Sequence, residues 1–127
     1  MSILLAKHIN KVLSGSAVIK KAVGDRIYRN GIDTDVPFPF VVYTYRVSQG
    51  ESTKDGDGAD VCHVDVMVFS RDGKQEMELS DAVRSSVAHS AADYKTFEVA
   101  DIDFIGYESE LDDGVYIGQL KFNAKTY

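Results

Sequence analysis

From Ala59 to Ser70 the chain reads ADVCHVDVMVFS, and no other stretch restricts its fold so tightly. Cys62, Val64, Val66 and Val68 fall on one side of a two-residue period, and His63, Asp65, Met67 and Phe69 on the other. That period belongs to an extended strand with one buried face and cannot be satisfied by a helix. A second such stretch precedes it. After Pro39 comes FVVYTYRVS, in which Val41, Tyr43, Tyr45 and Val47 share one face while Val42, Thr44 and Arg46 take the other. Its β-branched and aromatic content suits a pleated, half-buried surface. The polar connection between the two, about ten residues long, is a long hairpin loop, so the strands are expected to pair antiparallel.

The remaining elements follow from changes of period. Leu5, Ile9, Val12 and Leu13 line one face of an N-terminal helix, which Ser14-Gly15-Ser16 breaks. Ser16 can cap a second, short helix running to Val23, with Gly24 placed to end it. Asp25 to Tyr28 reads as a brief strand, and the Gly- and Pro-bearing RNGIDTDVPFP as irregular. From Gln75 to His89 the pattern is helical, with Leu79, Ala82, Val83 and Val87 on one stripe and Glu76 and Glu78 in the first turn, where the helix dipole favours acids. Phe97 to Tyr107 and Val115 to Asn123 form a closing hairpin around Asp112-Asp113-Gly114. The fold class expected is α+β, an antiparallel or mixed sheet of about four main strands with helices packed on one face, in a single domain over residues 1–127.

Charge narrows the function. Fourteen basic residues stand against twenty acidic ones, a formal net charge of −6, and no basic run exceeds Lys20-Lys21. A surface built to grip a phosphate backbone needs clustered Lys and Arg, so nucleic-acid binding is disfavoured. The single cysteine, Cys62, leaves no internal disulfide and suits a reducing cytoplasm. Lys7, His8 and Lys11 interrupt the first apolar stretch, which therefore does not read as a signal peptide, and no run is long enough to span a bilayer.

The most conspicuous candidate for chemistry is KDGDGAD, residues 54–60. A calcium loop starting at Asp55 would need an acid at its fifth position, glycine at its sixth and glutamate at its twelfth. The chain places Ala59, Asp60 and Val66 there, between strands and not helices. A polar hairpin tip is the better reading. His8, His63 and His89 fall on three different elements with no second ligand at metal spacing. Cys62 alternates with valines as a core residue and faces away from His63, which disfavours a nucleophile pair. Asp101 and Asp103 share a strand face, so a two-carboxylate hydrolase site is conceivable, with surface acids as the plainer explanation. Neither a nucleophile elbow nor a phosphate-cradling glycine loop is present. The residues point to no catalytic, cofactor-binding or metal site.

One ordered set of segments is more specific. Gly24 to Tyr28 (GDRIY), Pro39 to Tyr43 (PFVVY), Val64 to Phe69 (VDVMVF), Leu79 to Arg84 (LSDAVR) and Asp112 to Tyr116 (DDGVY) together resemble the tail completion, or tail terminator, proteins of long-tailed bacteriophages and prophages. The resemblance leaves out mainly the first helix, and its departures are Met67 and the Arg29-Asn30 pair. It implies a small non-catalytic α+β subunit without a cofactor that closes into a ring, commonly a hexamer, at the head-proximal end of the tail tube. Its partners would be copies of itself, the tail tube protein and a head–tail connector or neck protein. DNA would pass through without specific binding, no membrane would be involved, and assembly would take place in the host bacterial cytoplasm. A neck or head-completion role in the same assembly is the nearest alternative, ahead of a small enzyme or a monomeric binding domain. The hairpin tip, with Glu51, Asp55, Gly56, Asp57, Gly58 and Asp60, is expected to order against neighbours or the tube, since its glycines and acids bury too little apolar surface to order alone.

Overall fold

The computed structural model describes residues 2–32, 34–48 and 60–127. A 3-10 turn, Ser2–Leu4, leads into helix α1, Leu5–Ser14, which buries Leu5, His8, Ile9 and Leu13. Helix α2, Ala17–Val23, begins where the Ser16 hydroxyl accepts a hydrogen bond from the Ile19 amide and ends at Gly24, whose φ of 60° a residue with a side chain rarely adopts. Helix α3, Gly73–Val87, is capped by Asp72, which accepts from the Lys74 amide at 3.0 Å. None of the described helices is long and apolar enough to cross a membrane.

Among the described residues six strands form one sheet: β1 (Ile27–Arg29), β2 (Phe40–Ser48), β3 (Asp60–Ser70), β4 (Ala92–Asp93), β5 (Glu98–Asp112) and β6 (Val115–Thr126). Their order is β1-β2-β3-β6-β5-β4, with β1 parallel to β2 and every other pair antiparallel. The four long strands are those expected from the alternation. The described sheet nevertheless has six strands and not about four main ones: β1 overlaps the brief strand expected over Asp25 to Tyr28, and β4, two residues long, is too short to show a period of its own. The β5–β6 hairpin turns at Asp113 and Gly114, both with positive φ (49° and 77°), as a two-residue connection of the twist-matched type requires.

The register stacks the core in rows. Tyr45, Val64, Phe122 and Phe104 stand side by side across four strands, followed by Tyr43, Val66, Leu120 and Tyr107. The three described α-helices lie on this face, burying Val41, Cys62, Val68, Val99 and Ile102 beneath Leu5, Ile9, Leu13, Ile19, Val23, Leu79, Val83 and Val87. The alternation of β2 and β3 thus does what it promised: the valine side is covered and the His63–Phe69 side is not. One corner of the outer face is apolar, where Phe40 stacks on Phe69 at 4.7 Å and is flanked by Phe38 and Tyr28.

Candidate interaction surface

Among the described residues, one buried polar cluster joins α3 to β5 and another joins α1 to the residues flanking β4. In α3, Glu76 is only 2% exposed. The Tyr107 hydroxyl lies 2.7 and 2.9 Å from its two carboxyl oxygens and donates to them, and Ser80 donates to one at 3.3 Å. Gly118 on β6 makes room for this group: a Cβ there would lie 2.5 Å from Ser80 Oγ and 2.9 Å from Glu76 Oε1. Burial, followed by the hydrogen bond that Tyr107 donates to Glu76, pushes the Tyr107 phenol above its ordinary value. Glu76 thus stands in the first turn of α3, as expected, but is buried there. Its place three residues before Leu79 put it on the buried stripe, and Gly118 in the apolar face of β6 was the matching gap.

The second cluster centres on His8, 1% exposed. Ser90 donates its hydroxyl proton to the Val87 carbonyl at 2.7 Å, so its oxygen accepts from His8 Nε2–H at 2.8 Å. His8 Nδ1 is then the acceptor for the Tyr94 hydroxyl at 2.7 Å. Burial, and secondarily the charge of Lys11, lowers the pKa of His8 from its ordinary value, in keeping with a neutral ring. The arrangement has the composition of a nucleophile–base pair but the wrong proton direction. Ser90 gives its proton to the backbone, and His8 has no lone pair facing it. The cluster ties α1 to the turn after α3.

The sequence-derived site residues separate. Glu51, Asp55, Gly56, Asp57 and Gly58 lie outside the described residues; Asp60 opens β3 opposite Thr126. Cys62 is buried, with its sulfur 3.7 Å from Thr126 Oγ1, and His63 points to the other face, 2.8 Å from Asn123 Oδ1. Asp101 and Asp103 stand at the outer surface, where His89 joins them: one ligand atom from each lies within 4.8 Å of the others, and His89 Nδ1 is 3.4 Å from Asp101. Linear spacing could not show this meeting, because the turn after α3 brings His89 to β5. The group sits on an open surface, not in a cleft that would perturb and shelter reacting carboxylates. The cleft between α3 and β5, lined by Met77, Ser80, Arg84, Phe104 and Tyr107, has a volume of about 170 Å³, and larger hollows of about 470 and 360 Å³ lie between α2 and α3 and on the helix-free face beside Arg46 and His63.

What the surface does offer is edges. Beyond Val99 no described strand pairs with the outer side of β5, and beyond Tyr43 none pairs with the outer side of β2. Six of the twenty acids lie in β5 with no base among them, so the remaining residues balance fourteen acids against fourteen bases. The six acids of β5 thus equal in number the formal net charge of −6. Ile105, Tyr107 and Leu111 on that strand are 56%, 43% and 60% exposed, and Met77 of α3, which lines the small cleft with Tyr107, is 59% exposed.

A family model described as tail completion protein gp17 matches residues 7–127. Among solved structures, a chain from the virion of a native gene transfer agent (GTA) particle superposes with a TM-score of 0.78, covering 93% of this chain and 90% of that one. At 15% identity the likeness is one of fold. No curated protein matches.

Proposed function

The chain belongs to the tail completion protein gp17 family and is a structural protein of the phage tail, and from that premise we propose that it is the subunit of a ring that ends tail-tube growth and docks the tail to the head connector. The observation that carries this reading is the family match over nearly the whole chain, joined to a fold shared with a chain of a virion particle. The architecture supports it. A ring needs two different patches on each subunit that fit one another after rotation, and this sheet ends in two unlike, incompletely paired edges. Its polar clusters hold helices to the sheet, as a rigid assembly part requires, and do not expose reacting groups.

The ring is hexameric in this reading, with the tail tube protein on one side and a connector or neck protein on the other. The connection between β2 and β3, with Glu51, Asp55, Gly56, Asp57, Gly58 and Asp60, is the proposed contact with the tube. DNA crosses the ring without specific binding, because an acidic surface offers phosphates no gain from counterion release. The test is complementation. Tails assembled without a terminator are supplied with the purified protein, and tube lengths are measured by electron microscopy. Lengths that collapse to one value, with tails that then join heads, are the expected result; tubes that keep growing overturn the proposal.

A further inference from the structure

We propose that β5 of one copy adds to the outer edge of β2 in a second copy, extending the sheet from subunit to subunit through an acidic edge meeting a basic one. This rests on the ring reading and names the surfaces that close it.

Three observations select the occupant. First, the two edges of the sheet carry opposite charge. β4 and β5 together hold Asp93, Glu98, Asp101, Asp103, Glu108, Glu110 and Asp112 and no base. β1 and β2 hold Arg29 and Arg46 and no acid, with Arg26 immediately before β1. Like edges of two copies would repel, and unlike edges attract, so the charges favour head-to-tail contact.

Second, the faces agree. Glu108 pairs across from Gln119 and Arg46 from His63, which places Glu108, Glu110, Asp112 and Arg46 all on the helix-free side of the sheet. Tyr107 and Leu111 share the helix side with Tyr45 and Val47, which pack only partly into the core. Continuing the sheet across the contact therefore sets carboxylates beside a guanidinium on one face and apolar groups beside apolar groups on the other.

Third, the lengths agree. The register of β5 shifts between Phe104 and Gly106, leaving Ile105 as an extra residue that interrupts the edge. Such a bulge blunts unselective pairing and confines regular pairing to Tyr107 onward. The six residues from Tyr107 to Asp112 can span the five-residue open part of β2, Thr44 to Ser48. Strand addition supplies backbone hydrogen bonds along this span, and the flanking side chains select the partner.

The experiment is a charge swap, read by sedimentation velocity on the purified chain and by counting copies on terminator-deficient tubes. One variant carries Glu108→Lys and Glu110→Lys, a second Arg46→Glu, and a third all three substitutions. All lie on exposed positions, and matched circular dichroism and melting curves verify that each variant folds. Each single-edge reversal should weaken association at least about tenfold, mixing the two reversed proteins or combining the changes should restore it, and the wild-type contact should weaken as salt is raised. Multimers that persist unchanged in both single-edge variants overturn this interface and leave the ring standing. Reversals that spare self-association but abolish tube binding assign the acidic edge to the tube protein instead, and also overturn it. A wild-type protein that caps tubes as a single copy overturns the ring reading itself, and this interface with it.

Discussion

Replacing Gly118 with alanine tests how closely helix and sheet approach in this fold. The added Cβ would lie 2.5 Å from Ser80 Oγ, 2.9 Å from Glu76 Oε1 and 3.0 Å from Glu76 Cδ. Ser80 can rotate its hydroxyl away, since its 3.3 Å bond to Glu76 is long, but Glu76 is held from the other side by Tyr107. Either α3 moves outward over Leu79 and Val83 or the carboxyl group leaves the Tyr107 hydroxyl. Overpacking of a close-packed site costs about 1–3 kcal/mol, and losing a hydrogen bond to a buried acidic group about 1.5–3 kcal/mol. The two are alternatives more than a sum, so the expected loss is about 2–3 kcal/mol. Urea denaturation followed by circular dichroism measures it, with the slope of the transition unchanged if only the folded state is affected. A double variant separates the sources: Ser80→Ala removes the nearest atom, so in the Gly118→Ala background it should recover part of the loss, giving a coupling of about 1 kcal/mol. If Gly118→Ala unfolds at the wild-type midpoint, the close approach of α3 to β6 is not what the glycine serves, and the account of Glu76 burial fails with it.

Tyr107→Phe should cost about 1.5–3 kcal/mol by leaving Glu76 with Ser80 alone, although the ring itself is partly exposed; the same denaturation assay checks it. His8 makes stability depend on pH: its folded-state pKa lies below the unfolded value of 6.5, so the unfolded chain takes up a proton first as the pH falls. Stability should therefore be full above pH 6.5 and decline below it, by at most about 1.4 kcal/mol per pH unit, until the lowered folded-state pKa is reached. Denaturation curves across this range should show that decline, and His8→Gln should flatten it. Gly114→Ala places a side chain at φ 77° and should destabilise the hairpin by about 1–2 kcal/mol, while Asp113→Asn, at φ 49°, should be close to neutral; thermal melts of the two variants distinguish them.

The clusters show where local pattern stops informing. The apolar stripe of α3 was legible as Leu79, Val83 and Val87, yet Glu76 on the same stripe could be placed in the core only once Gly118 was known to lie opposite it. His8 belongs to the buried face of α1 by spacing from Leu5, but its partners Ser90 and Tyr94 come from a turn more than eighty residues away. Likewise no spacing rule joins His89 to Asp101 and Asp103, because a turn and not a shared helix or strand brings them together.

The sequence alone determined the long elements and pointed to the family. A two-residue period over residues 59–70 admits only a strand, serine and glycine at fixed offsets bound short helices, and Asp113-Gly114 closes a hairpin, because each of these depends on neighbours along the chain. It also contained every acid of β5 and every arginine of β1 and β2. Only the tertiary structure decided that these charges stand on opposite edges of one sheet, since strand order is set by packing contacts between distant segments and leaves no periodic trace in any of them.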